Sequence, residues 1–200
     1  MIHLVEHLFG VFKLYIIVFN MLYASFRRPV GIFDGCFNRF AASITGGNFC
    51  HSEFIFKLDN NQLREMIKGT SYEHSMLKIQ TTDVVHIAWY TMWGGHVTYR
   101  ILTNFAPDSF WRLPTDLGVK TNCTLEQETD IFRWCISQAR KPYDRAGALG
   151  CVFPLRGRQD EYSQYFCSQF MACALNRIGL LVGNPNPGGV TPNNLYLMLT

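Results

Sequence analysis

The sequence lacks several features that would place it quickly. It has no C-x-x-C pair, no run of like charge longer than Arg27-Arg28, no internal repeat and no Pro-, Gly- or Ser-rich linker. Seven cysteines (Cys36, Cys50, Cys123, Cys135, Cys151, Cys167 and Cys173) without a C-x-x-C pair match neither a zinc ligand set nor a closed disulfide framework. They are expected as thiols in a reducing, cytoplasmic compartment, with no metal and no cofactor. Charged residues are only 16% of the chain and net charge is +3, so no charge-driven partner, nucleic acid included, is expected. Against that low charge stands an apolar content of 48%, which excludes disorder and supports a large aromatic core. With no linker, residues 1–200 read as a single domain, in which 1–13 form an N-terminal helical extension.

One long apolar run is present, from Leu8 to Phe26, followed by Arg27-Arg28 as a possible charged stop. Lys13, Asn20 and Ser25 interrupt it, which counts against a membrane span of about 20 apolar residues. Val11 to Phe19 is rich in β-branched and aromatic residues and reads as a strand buried on both faces. A membrane anchor remains the competing reading, and a signal peptide fits poorly because the start has no basic region.

Beyond it, apolar residues at three- and four-residue spacing predict a helix over Gly31 to Ile44. Cys50 to Leu58 predicts a central strand, Asp59-Asn-Asn61 a polar turn, and Gln62 to Lys68 a short helix stopped by Gly69. Val84 to Tyr90 and Val97 to Leu102, separated by Gly94-Gly95, predict a hairpin, and Phe110 to Leu113 a further short strand. Thr124-Leu-Glu-Gln127 has capping-box spacing and opens a helix running to about Ala139. Gly147 to Pro154 reads as a loop, Cys167 to Ile178 as a helix and Thr191 to Tyr196 as a capped final turn. The layout is that of an α+β domain.

Two residues stand out chemically. Cys167 lies where Tyr165-Phe166 gives way to a helical pattern, and a helix N-terminus stabilises a thiolate through its unpaired N–H groups and dipole. Cys173, two turns further on, suits core packing, and Cys167 taken alone suits packing equally well. A nucleophilic thiol needs a base, and of six histidines His51 is the best placed, opening a strand just after the Gly46-Gly47-Asn48 break. His3 and His7 sit in the N-terminal extension, His74 and His96 in exposed turns, and His86 inside an apolar strand. Glu53, two residues from His51, points to the same side of a strand and is the candidate third member.

Cys50-His-Ser-Glu-Phe-Ile-Phe56, Lys141-Pro-Tyr-Asp144 with Gly147, Tyr165-Phe-Cys-Ser-Gln169 and Thr191-Pro-Asn-Asn-Leu195, in that order, resemble the landmarks of the circularly permuted NlpC-type papain-like hydrolases. That group is similar to YiiX-like proteins, lecithin:retinol acyltransferase and several phage and large-DNA-virus proteins. The likeness covers roughly residues 14–197. It implies a permuted papain-like fold, an antiparallel sheet packed against helices with the catalytic Cys167 at a helix N-terminus and His51 at the start of a strand. It also implies that Tyr15 to Tyr23 is the strand preceding the Gly31 to Ile44 helix. Gln169 stands where the family often has Glu. Family members often draw the third residue from the neighbouring strand, which here would offer His86, Tyr90 or Thr91. The oxyanion is expected at the backbone N–H of Cys167 with one polar side chain nearby, while Tyr143-Asp144 is expected as a turn and helix cap.

The implied activity is that of a thiol hydrolase, amidase, peptidase or acyltransferase, with a peptide, isopeptide or acyl-lipid substrate. The alternative is a non-catalytic structural or virion-associated protein whose N-terminus contacts a membrane or partner.

Overall fold

The computed structural model describes residues 22–29, 39, 42–43, 45–78, 84–102, 116–151 and 162–200. Five strands make one antiparallel sheet: β1 Leu22–Arg27, β2 His51–Asp59, β3 Val84–Tyr90, β4 Thr98–Leu102 and β5 Asp116–Lys120. Their spatial order is β4-β3-β2-β1-β5, with β2 at the centre. The helices are α1 Asn60–Ile67, α2 Glu73–Met76, α3 Leu125–Gln138, α4 Arg145–Gly150, α5 Cys167–Arg177 and α6 Pro192–Leu199. The fold is therefore α+β, as expected.

Period-two alternation sorts the strand residues onto two faces. Leu22, Ala24 and Phe26 of β1 share one face with Ser52, Phe54, Phe56 and Leu58 of β2 and with Val85, Ile87 and Trp89 of β3. Helices cover that face through aromatic contacts. Phe56 meets Phe132 of α3 edge-on at 4.9 Å, Trp89 meets Phe132 at 6.0 Å, and Phe54 meets Phe170 of α5 at 6.2 Å. Burying each such ring contributes about 1.5–3 kcal/mol, so this layer is a large part of the core. The opposite face carries Ser25 and Arg27 on β1, His51, Glu53 and Ile55 on β2, Ala88 and Tyr90 on β3, and Arg100 on β4. It is the chemically mixed face.

Several expectations shift. The Val11 to Phe19 strand and the 1–13 extension lie outside the described residues, and the first described strand is Leu22–Arg27. Arg27, read as a stop, is that strand's last residue. β1 alternates an apolar face with a more polar one. Of the Gly31 to Ile44 helix, Arg39, Ala42 and Ser43 are helical and the rest lies outside, as does the Phe110 to Leu113 strand. β5 was not anticipated. Asp59 is the N-cap of α1 rather than part of a separate turn: its carboxylate accepts from the N–H groups of Asn61 and Gln62, and the Gln62 side chain accepts from Asp59 N–H. The loop expected from Gly147 begins instead as a helix, because Asp144 caps α4 by accepting from Gly147 N–H at 2.7 Å. A Cβ on Gly147 would lie 2.3 Å from that carboxylate, so only glycine admits the cap. The Thr124–Gln127 capping box and the β3–β4 hairpin stand where expected. Among the described residues no helix is long and apolar enough to cross a membrane.

Candidate active site

His51 is the first residue of β2, and Cys167 is the first residue of α5, which packs on β2. What feeds His51 into position is a clamp from the far end of the chain. Asn193 of α6 accepts from Phe49 N–H at 2.9 Å through Oδ1, while its amide nitrogen donates to Phe49 C=O at 3.2 Å and to the Thr45 hydroxyl. The backbone of Cys50 then donates to Arg27 C=O at 3.0 Å, locking the entry to β2 against the end of β1. Thr191 caps α6 by accepting from Asn194 N–H. The Thr191 to Leu195 landmark thus has a mechanical role: it fixes the approach to His51.

On the other side, Tyr165 anchors the entry to α5. Its N–H donates to Pro142 C=O at 3.0 Å, its C=O accepts from Asp144 N–H at 3.0 Å, and its hydroxyl donates to the Gln138 side-chain carbonyl at 2.9 Å. Phe166 N–H donates to the side-chain carbonyl of Gln169 at 3.2 Å. Gln169 therefore occupies one helix-end donor without placing a negative charge beside the thiol.

These anchors bring Cys167 and His51, far apart in sequence, close enough for the thiol and the imidazole to shift each other's titration. Burial pushes the Cys167 thiol up, but the adjacent His51, with the N–H groups of Ser52 and Ser168, outweighs it and holds the thiol below its usual range. For His51, burial acts to lower the pKa, and the adjacent Cys167 and Glu53 outweigh it, so the imidazole is held above its ordinary range. Both shifts favour a thiolate–imidazolium pair. The other core thiols differ: burial raises Cys135 well above the ordinary range and is the main cause of the rise at Cys123. All six described cysteines are thiols, and Cys173 packs half-buried against the core.

Glu53 lies beside His51, with Oε2 3.7 Å from Nε2, and its side chain is 6% exposed against 22% for the histidine. Burial would raise its pKa, but the adjacent His51, then Arg100, hold it below the usual carboxylate value. Arg100 Nη2 donates to both carboxylate oxygens, at 2.9 and 2.6 Å. The neighbouring-strand alternatives fall elsewhere. His86 pairs across the sheet with Lys57, six residues and so about 20 Å along β2 from His51. Tyr90 lies under the Arg100 guanidinium, 4.5 Å from ring centroid to Cζ. Thr91 donates to Tyr165 C=O at 3.5 Å.

Two neighbours of the pair carry little signal in the sequence. Arg100 was legible only as a lone cation inside an apolar strand. Tyr143 was read as structural, yet its hydroxyl is pushed well up, first by burial and then by the nearby Cys167, Cys151, Asp144 and Cys50, so it stays protonated as a donor. Tyr143 does also fill the expected turn, with Asp144 as the cap. Among the described residues no group of His, Cys, Asp or Glu side chains converges in a way that could hold a metal ion. No family model, no curated protein and no solved structure matches the chain.

Proposed function

We propose that the protein is a cysteine hydrolase or acyltransferase of the permuted papain-like type, working through Cys167 and His51. The observation that carries this reading is the placement of Cys167, first residue of a helix packed on β2, beside His51, first residue of β2, with the thiol shifted down and the imidazole shifted up by each other. Glu53 faces Nε2, which leaves Nδ1 of His51 as the nitrogen available to the sulfur.

In the first half-reaction the Cys167 thiolate attacks the substrate carbonyl carbon, an S–C bond forms, and the carbonyl electron pair moves to oxygen. Backbone N–H groups at the start of α5 and the Tyr143 hydroxyl are the candidate donors to that oxyanion. Collapse expels the amine or alcohol, which takes the proton from the His51 imidazolium. In the second half-reaction His51 removes a proton from water or another acceptor, which attacks the thioester and releases the acyl group. Glu53 holds the imidazole and stabilises its charged form. Peptide amides, isopeptides and acyl esters all fit this chemistry.

A thiol-reactive probe at pH 6 to 7 is expected to label Cys167 selectively, and that labelling is expected to vanish in His51→Ala. Uniform labelling of several cysteines would instead favour the non-catalytic, structural reading of the fold.

A further inference from the structure

We infer that Arg100 is a positioning residue of the Cys167–His51 site, acting through Glu53 to balance its charge; the inference rests on the thiolate–imidazolium reading above. Arg100 sits on β4, two strands away from Glu53. Its register partner is Ala88 of β3, whose own partner is Ile55 of β2, so all three project from one face. The methyl group of Ala88 leaves the stem of Arg100 room to pass over β3. Tyr90 then supports the guanidinium plane from 4.5 Å, and Nη2 reaches both oxygens of Glu53. Arg100 Nε is buried without a hydrogen-bond partner among the described residues. Committing the guanidinium to Glu53 therefore leaves a donor unmade, a cost that a merely solvated arginine would not bear.

The four groups alternate in sign: thiolate, imidazolium, carboxylate, guanidinium. Their sum is zero. Without Arg100 the three remaining members would carry one net negative charge, which opposes formation of the buried thiolate. One other cation shares this face, Arg27, but it lies beside His51, and the bonds to the Glu53 carboxylate come from Arg100. Arg27 stands opposite His51 and Ser25 opposite Glu53 across β1. Tyr143, Cys151, Asp144 and Cys50 cluster on the Cys167 side, and none of them is a cation.

The test is the rate of Cys167 alkylation by iodoacetamide as a function of pH, read by mass spectrometry in the full chain, because it needs no substrate. In Arg100→Met and Arg100→Gln the acid limb is expected to move up by about one pH unit, so that labelling on the wild-type limb slows about tenfold. Arg100→Lys, which keeps the charge, is expected to stay near wild type. Met keeps an apolar stem and Gln a polar one, both without the charge, so either neutral variant that folds carries the result. A neutral variant with the wild-type limb, or a Lys variant shifted as far as Gln, overturns the inference. If wild type itself titrates as an ordinary cysteine, the ion pair is absent and the site reading fails first, an outcome visible before any variant is made.

Discussion

At the scale of single residues, the chemistry turns on whether a sulfur can be an anion near neutral pH. Cys167 and Cys135 are both buried thiols, yet their pKa values move in opposite directions, because only Cys167 has His51 and two N–H groups against it. That contrast predicts the reactivity order: Cys167 is expected to alkylate at least about tenfold faster than Cys135 at pH 6, since the thiolate is the reacting form. Peptide mapping after a short pulse of reagent checks it, and equal labelling would contradict it. Glu53→Gln removes the charge that steadies the imidazolium but keeps the shape. Loss of turnover of about 10²-fold or more is expected on any acyl substrate found, within the range for a perturbed general base, with binding little changed. Much of this was legible in the sequence: a cysteine at a helix start, a histidine at a strand start, and a carboxylate two residues on. Arg100 was not, because its distance from Glu53 depends on strand order and on the small Ala88 between them, neither of which period-two alternation reveals.

Among the elements, the site depends on how the chain enters β2 and α5, and those entries are held by residues with no chemistry of their own. Asn193 makes three hydrogen bonds that fix Thr45 and Phe49, and a Cβ on Gly47 would fall 2.1 Å from its Oδ1. Replacing Asn193 by Ala leaves the Phe49 N–H and C=O without that partner and is expected to cost about 1–3 kcal/mol. Gly47→Ala should cost a similar amount by displacing the same side chain. The two losses should not add in full: Asn193→Ala removes the Oδ1 and Cγ that a methyl group at position 47 would meet first and leaves only the Cβ at 193, 2.9 Å away, so the double variant is expected to lose clearly less than the sum of the single losses. Urea unfolding of the four proteins measures the coupling, and strict additivity would show that the clamp is not shared. The element boundaries repeat the lesson. Capping signals at Thr124 were readable because they are local, whereas the α4 helix was hidden by a glycine that reads as a loop residue until its contact with Asp144 is known.

For the whole molecule, an antiparallel sheet with one aromatic face and one face carrying opposed charges is stable only within a window of pH. Glu53 sits below the ordinary carboxylate value in the folded protein, so the stability it contributes is present above the unfolded pKa, near 4.5, and is lost as pH falls through the folded one. His51 works in the other direction. Its folded pKa is raised to about 10, so its contribution is full below the ordinary value of 6.5 and drains away as pH rises toward 10. Cys167, lowered on folding, offsets part of that alkaline loss, since a lowered acid contributes most where it is ionised in both states. The acid side is therefore the cleaner place to look. Glu53→Gln should be less stable than wild type at pH 7, where Arg100 loses its ionic partner. On acidification toward pH 3 the gap should narrow, because only the wild type has a carboxylate there to protonate. Urea denaturation at a series of pH values between 7 and 3 gives the two curves. Convergence is the expected outcome, and a constant gap would mean that Glu53 ionises in the fold as it does in the open chain, without the His51 and Arg100 contacts that lower it.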